Sequence, residues 1–250
     1  LGLIGVAGFY MVLKGAAPHG LGTTVTLADL LKPMIGLGFG LGGMLPQMQG
    51  VSYVAFLAGG VVCSSAMFTA SFEAMYSAFS RMHVQRTWDA ILNAPLTLDD
   101  VVIGEWVWAA SKGLLSGCAV LLVAAALELA ASPLALLIIP VIVLTGLAFS
   151  ALGLIVTALS PSYDFFMYYF TLAITPMILL CGVFYPLEQL PALAQVAAQA
   201  LPLTHAVALS RPLMLGALPT QVGLHVLVLV IYAGVSLAVA RHLLRNRILQ

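Results

Sequence analysis

The sequence predicts an all-α protein that crosses a membrane several times. Hydrophobic residues make up 62% of the 250 residues, charged residues only 7%, and the mean hydropathy is +1.10. A soluble domain carries charge on about a quarter of its residues, so lipid has to cover most of this surface. The nine basic and nine acidic residues cancel, which leaves no basic stripe of the kind that binds nucleic acid. We interpret residues 1–250 as a single membrane domain.

Six stretches are long and apolar enough to be membrane-spanning helices, because about 20 apolar residues cross about 30 Å of hydrocarbon. They are residues 27–46, 53–79, 105–129, 134–159, 164–185 and 221–241. The first is rich in glycine, but an isolated strand would leave its backbone unpaired in lipid, so we predict a helix. Residues 1–25 begin at Leu1 without a basic segment, which favours a truncated start over a signal peptide; we interpret them no further.

The arginines predict the orientation, because cytoplasmic loops are enriched in Lys and Arg. If the first span starts in the cytoplasm, the outer side holds only Arg211, although its last loop is the longest. The cytoplasmic side and its edges hold five arginines: Arg81, Arg86, Arg241, Arg245 and Arg247. We therefore predict a multi-pass protein of a bacterial inner membrane with both termini in the cytoplasm.

The cytoplasmic connection over residues 80–104 has the pattern of a short amphipathic helix. Its apolar residues recur at helical spacing, and they are Val84, Trp88, Ile91 and Leu92. Pro95 is expected to end this helix, and Thr97 with Asp99 and Asp100 to cap the next one.

The outer segment over residues 186–220 contains a second short helix. The run LPALAQVAAQAL lies between prolines and is about 12 residues long, too short to span a membrane. We predict an interfacial or re-entrant helix on the outer face, before the last span.

Three runs of sequence carry a family resemblance. They are ASFEAMYSAFSRMH (70–83), HVQRTWDAILNAPLTLDDVVIGEWVWAASKGLLSG (83–117) and GVFYPLEQLPALAQVAAQALPLTHAVALSRPLMLG (182–216). Together they resemble the type-2 ABC exporter permeases, in particular those that export nodulation factors, and the likeness covers most of residues 30–250. Ala58-Gly59-Gly60 departs from the family, which usually has an Ala-Pro-Gly turn there.

The resemblance implies a six-helix permease that forms a homodimer and binds two copies of a separate ATPase. No G-x-x-x-x-G-K-[ST] motif is present, so ATP and Mg²⁺ are expected on the partner, and no cofactor or metal on this chain. The implied cargo is a lipo-oligosaccharide or a related amphiphilic glycolipid; the alternative is a small hydrophobic drug. The helix around residues 82–98 would receive the movement of the ATPase, with Trp88 as the central anchor. The residues expected to couple the two subunits are Val84, Arg86, Trp88, Asp89, Ile91 and Leu92.

Two charged residues are expected inside the spans at similar depth. Glu73 and Lys112 each lie six or seven residues from a cytoplasmic helix end, about 10 Å deep. Because an unpaired charge there costs about 3 kcal/mol or more, we predict an ion pair between them. The alternatives are a snorkelling Lys112 and a Glu73 that faces a water-filled route.

Aromatic residues crowd the start of the fifth span. Tyr168 and Tyr169, continued by Thr171 and Thr175, are candidates for a substrate route in which sugar rings stack on aromatic side chains. The alternatives are an interfacial aromatic belt for the tyrosines, and hydrogen bonds to their own backbone for the threonines.

An intramembrane enzyme that uses His205 or Glu73 is the competing class of function. No nucleophile motif accompanies either residue, and no convergent set of titratable groups is visible at one depth. We therefore predict no catalytic residues in this chain, and a structural capping role for His205 and Arg211.

Overall fold

The computed structural model describes residues 51–130 and 132–248, which form helices joined by turns. In chain order the helices are α1 (Tyr53–Val84), α2 (Thr87–Leu92), α3 (Leu98–Ala126), α4 (Pro133–Leu159), α5 (Asp164–Leu180), α6 (Ala192–Gln199), α7 (Pro202–Met214) and α8 (Val222–Ile248). Stretches of wider π-helix occur in α1, at Glu73–Ser77 and Ser80–Val84, and in α5, at Phe170–Ile174. Over the described residues the helical fold class is confirmed.

Four of the described helices, α1, α3, α4 and α8, are long and apolar enough to cross a membrane, and each overlaps a predicted span. The helix α5 matches the prediction for 164–185 in position but is shorter than a full span. The helices α6 and α7 meet at 90° and form either a broken span or a re-entrant loop. The predicted span 27–46 lies outside the described residues, so the count of six spans stays a prediction.

The start of α3 shows why this helix is longer than predicted. Thr97 and Asp100 form a capping box, in which each side chain accepts a hydrogen bond from the other residue's backbone N–H. This confirms the predicted cap and starts the helix at Leu98, seven residues before the predicted span. With 29 residues, α3 is about 44 Å long, longer than the hydrocarbon layer. Its first turns therefore extend beyond the lipid, as does the end of α1.

The helices enclose two apolar clusters. The first lies between α1, α4 and α7 and contains Met67, Phe149 and Leu203. The second lies at the predicted cytoplasmic end and includes Trp88. Small residues bring the backbones close: a Cβ added to Gly113 would lie 2.9 Å from the Ala66 carbonyl oxygen of α1. This close packing holds the ends of α1 and α3 side by side, where α2 meets them.

Candidate coupling site

The helix α2 follows directly on the end of α1. Arg86, between them, has left-handed backbone angles (φ 50°, ψ 32°) and turns the chain sharply. The helix has six residues and ends at Leu92, three residues before Pro95. It is shorter than the apolar spacing indicated, because Val84 belongs to the end of α1.

The indole of Trp88 is buried inside the bundle. Trp88 is 1% exposed and packs in the cytoplasmic apolar cluster. Its Nε1 donates a hydrogen bond to Glu105 Oε1 at 3.0 Å, which fastens α2 to α3. The prediction that Trp88 is the central anchor for a partner is therefore wrong. Helical spacing shows that a face is apolar, but not which neighbour covers it.

Below Trp88, one arginine joins two carboxylates. Arg81 donates from Nε to Glu105 Oε1 at 2.6 Å and from Nη2 to Glu105 Oε2 at 2.5 Å. The same Nη2 lies 3.5 Å from Glu73 Oε1, which also accepts from Trp108 Nε1 at 2.8 Å. Glu73 and Glu105 are each 8% exposed. The cluster connects α2, through Trp88, to the π-helical end of α1 and to the start of α3.

The predicted ion pair between Glu73 and Lys112 is replaced by this cluster. Glu73 pairs with Arg81, and the Lys112 ammonium lies 4.8 Å from the centre of the Trp108 ring. The reason is geometric: the forked guanidinium of Arg81 reaches two carboxylates together. Counting residues along the helices gave the depth of each charge but not its direction around the helix. Arg81 was interpreted only as an orientation signal.

The remaining coupling residues divide into exposed and half-buried positions. Val84 is 66% exposed, and Arg86 and Asp89 are also exposed. Ile91 and Leu92 are half-buried and pack against the cytoplasmic apolar cluster. The turn and the outer side of α2 therefore offer a contact surface to a partner, while its inner side is bound to the bundle.

Beside α2 the structure has a cleft of about 420 Å³ that the sequence did not indicate. Arg81, Asp100 and Glu105 supply its polar groups, and its apolar lining consists of Ile91, Leu96, Val101, Gly104 and Trp108. No sequence signal marks it, because the lining residues come from three separate segments. The cleft adjoins α2 at the half-buried Ile91 and enlarges the surface that a partner could contact.

Two arginines of α8 fasten the same end of the bundle. Arg241 forms an ion pair with Asp99 at the start of α3. Arg247 Nη1 donates to the carbonyl oxygens of Thr157 and Ala158, both at 2.8 Å, at the end of α4. These side chains join α8 to α3 and α4, so α2 packs against helix ends that are connected to one another.

The candidate substrate-route residues do not share one environment. Tyr168 is 62% exposed, and Thr171 and Thr175 are exposed on the same helix, α5. Thr175 Oγ1 donates to the Phe170 carbonyl oxygen at 2.9 Å, the backbone alternative. Tyr169 instead is half-buried and packs against both apolar clusters, so it does not share the exposed face of the other three. Three residues are left on the exposed face of α5.

Other aromatic residues at the start of α5 pack against α1. The Phe166 ring centre lies 4.9 Å from that of Tyr76 and 5.3 Å from that of Phe79, and Tyr163 lies 4.9 Å from Phe79. These edge-to-face contacts are internal to the chain, so this group stabilises the bundle rather than forming an open stacking surface.

Comparison with known proteins gives one family. The sequence model of the ABC-2 type transporter family matches residues 22–215. Nodulation protein J of Rhizobium leguminosarum bv. trifolii is 50% identical over 224 residues, which cover 90% of this chain and 86% of that protein. Nodulation protein J of Sinorhizobium fredii (strain NBRC 101917 / NGR234) is 46% identical over 240 residues, covering 96% and 91%. The protein of that name from Rhizobium meliloti (strain 1021) is 48% identical over 223 residues, covering 89% and 85%.

Proposed function

The chain belongs to the ABC-2 type transporter family, as a transmembrane subunit of an ABC exporter, and from this premise we propose that it exports a lipo-oligosaccharide. The relatives that share 46–50% of its residues are named nodulation proteins, which supports a nodulation factor as the cargo. We further propose that it forms a homodimer in the bacterial inner membrane, with both termini in the cytoplasm.

In this proposal ATP is hydrolysed, with Mg²⁺, by two copies of a separate ATPase subunit, and this chain contributes the membrane route. The observation that carries the coupling role is the hydrogen bond from buried Trp88 to Glu105. A force applied to the exposed side of α2 reaches α3 through Glu105 and reaches the π-helical end of α1 through Arg81. A short helix held in this way moves with its neighbours, as a connection between a motor and a permease requires.

The surface around α2 gives the direct test of this role. We expect the double variant Val84→Asp/Arg86→Glu to weaken binding of the purified ATPase at least about thirtyfold, because a central interface residue typically contributes about 2 kcal/mol or more. Titration of detergent-solubilised permease with the ATPase measures the affinity. The loss of affinity caused by Arg86→Glu alone should be larger at low salt, where charges are less screened.

The matched control for that titration is Leu193→Asp, which places a charge at an exposed apolar position of α6, at the predicted outer end. It should bind the ATPase like the unmodified chain. Equal ATPase affinity of the unmodified chain, the double variant and the control would show that the exposed side of α2 faces the lipid surface. That result would contradict the proposed coupling role.

The orientation has its own test, by thiol labelling in intact cells. In a chain with Cys118→Ser, a cysteine at Leu193 should react with a membrane-impermeant maleimide, because α6 is expected to face outward. A cysteine at Ala90, exposed on α2, should react only after the inner membrane is opened. The native Cys63 and Cys181 are buried and serve as the unreactive background. The reverse pattern would invert the orientation and remove α2 from the cytoplasm.

A further inference from the structure

The 90° corner between α6 and α7 is held by three side chains. Three carbonyl groups at the end of α6 accept hydrogen bonds from side chains. The donors are Thr204 at 2.6 Å, His205 at 2.9 Å and Tyr232 of α8 at 2.5 Å. Their acceptors are the successive oxygens of Ala198, Gln199 and Ala200. These bonds satisfy carbonyls that a helix end leaves free and fix the direction in which α7 leaves the corner.

The helix α7 then packs on α1 through Gly59. Ser210 Oγ donates to the Gly59 carbonyl oxygen at 2.7 Å. A Cβ added to Gly59 would lie 2.8 Å from the Cα of Arg211, closer than real Cβ atoms come. Only glycine therefore permits this approach without a shift, and it sets Arg211 directly against the first turns of α1.

The guanidinium of Arg211 is held by carbonyl oxygens and an aromatic ring. Its Nη2 donates to the oxygens of Gly182 at 2.5 Å and Val183 at 3.3 Å, just after α5. Its Nε donates to the Phe56 oxygen at 3.3 Å, and its carbon Cζ lies 3.7 Å from the centre of the Phe56 ring. Gly182 has φ +73°, a conformation suited to glycine, in the turn that brings both carbonyls to the arginine.

No carboxylate lies within ion-pair distance of this arginine among the described residues, and the nearest opposite charge, on Glu188, acts on it from farther away. Every ion pair found there involves other arginines, Arg81 and Arg241. Among the hydrogen bonds of the same residues, none uses Nη1 of Arg211. Arginine stays charged in proteins, so the free Nη1 remains a charged donor, of the kind that binds oxyanions. Arg211 is only partly buried, so a ligand can reach it.

The position of Arg211 favours a phosphate-type ligand. Phe56 lies three residues after the start of α1, about 5 Å along the helix axis. The guanidinium therefore lies near the level of the phospholipid headgroups at the predicted outer face. Its planar fork of N–H donors matches the geometry of phosphate oxygens.

We propose that Arg211 is a binding site for a phosphate-type oxyanion, which Nη1 holds at the junction of α7 with α1 and α5. The bound anion neutralises the guanidinium and stabilises the outer corner. It comes either from the headgroup of an anionic phospholipid or from free phosphate. The proposal depends on the geometry around Arg211 and not on the exporter role.

Thermal unfolding of the full chain tests this site, because a ligand that binds only the folded state raises the Tm. One arm compares nanodiscs of phosphatidylcholine with nanodiscs that contain phosphatidylglycerol. The other compares inorganic phosphate with chloride, at equal ionic strength, in a neutral detergent. Arg211→Gln removes the site, and Arg245→Gln is the control, because Arg245 is exposed at the opposite end of the bundle.

In one arm we expect the Tm of the unmodified chain and of Arg245→Gln to rise by at least about 3 °C, since a bound ligand stabilises the folded state as it saturates the site. Arg211→Gln should show little of this rise in Tm. A gain only with phosphatidylglycerol identifies the lipid headgroup, and a gain with inorganic phosphate identifies the free anion. If Arg211→Gln does not fold, Arg211→Lys keeps the charge but loses the fork. Its half-saturating anion concentration should then rise at least about threefold. No gain in the unmodified chain, or an equal gain or affinity in the Arg211 variants, would overturn the site.

Discussion

Trp88→Ala should lower the free energy of unfolding by about 3–5 kcal/mol, the usual cost of truncating a large buried aromatic residue. The indole is 1% exposed, packs in the cytoplasmic apolar cluster and donates to Glu105. Truncation leaves a cavity and frees a buried carboxylate oxygen from one donor. Denaturation of the purified chain in detergent, followed by the loss of the folded species on size exclusion, measures the effect.

Two matched variants separate the causes of that loss. Trp88→Phe keeps most of the apolar volume and removes only the donor, so it should cost about 1–3 kcal/mol. Trp106→Phe removes another indole donor on α3, which binds the Leu147 carbonyl oxygen at 2.8 Å, and should leave α2 in place. If Trp88→Ala unfolded like the unmodified chain and lost only affinity for the ATPase, Trp88 would lie at the subunit interface and not inside the bundle.

The described membrane helices followed from composition because lipid imposes a simple rule on the chain. A stretch of about 20 apolar residues has to pair its backbone internally, so α1, α3, α4 and α8 were visible in the sequence. The start of α3 was equally visible, since the side chains that cap it are neighbours in sequence. Local chemistry of this kind does not depend on the rest of the fold.

The contacts between helices could not be predicted in the same way. Hydropathy gives the depth of a residue, but its direction depends on how neighbouring helices pack. That is why Glu73 was assigned to Lys112 although Arg81 holds it, and why Tyr169 was grouped with Tyr168 although the two side chains have different surroundings. A side chain with several donors, such as Arg81, can pair with several acceptors. Which of them it contacts depends on how α1, α2 and α3 pack together in the folded protein.

The helix α7 was missed for a different reason. In the outer segment only the run LPALAQVAAQAL was predicted to be helical, and the following residues, which include Pro202 and Pro212, were assigned to no helix. Pro202 stands at the first position of the helix, where the missing N–H costs nothing, and Pro212 lies near its end. The intervening sequence forms a 13-residue helix that positions Arg211 against Gly59.

Reconstituted export is the second prediction with a large expected effect. In vesicles that carry the permease with its ATPase facing outward, a fluorescent lipo-oligosaccharide in the outer leaflet should become protected from an impermeant quencher when ATP is added. The reason is that the ATPase supplies the force and this chain the route. A change of the Walker-A lysine in the ATPase should remove the effect, because that lysine contacts the nucleotide phosphates.

The permease variants connect this assay to the coupling site. Val84→Asp/Arg86→Glu should reduce export together with ATPase binding, whereas Leu193→Asp should transport normally. A small hydrophobic dye in place of the lipo-oligosaccharide tests the alternative cargo. Protection of the dye alone would assign the chain to drug efflux and remove the proposed substrate.

ATP-dependent protection of the lipo-oligosaccharide, measured with and without the ATPase in the same vesicles, therefore tests the central claim most directly. We expect protection to rise with time only when the permease, the active ATPase and ATP are all present. Equal protection without the ATPase, or with its Walker-A variant, would contradict the claim that this chain is the membrane subunit of an ATP-driven exporter.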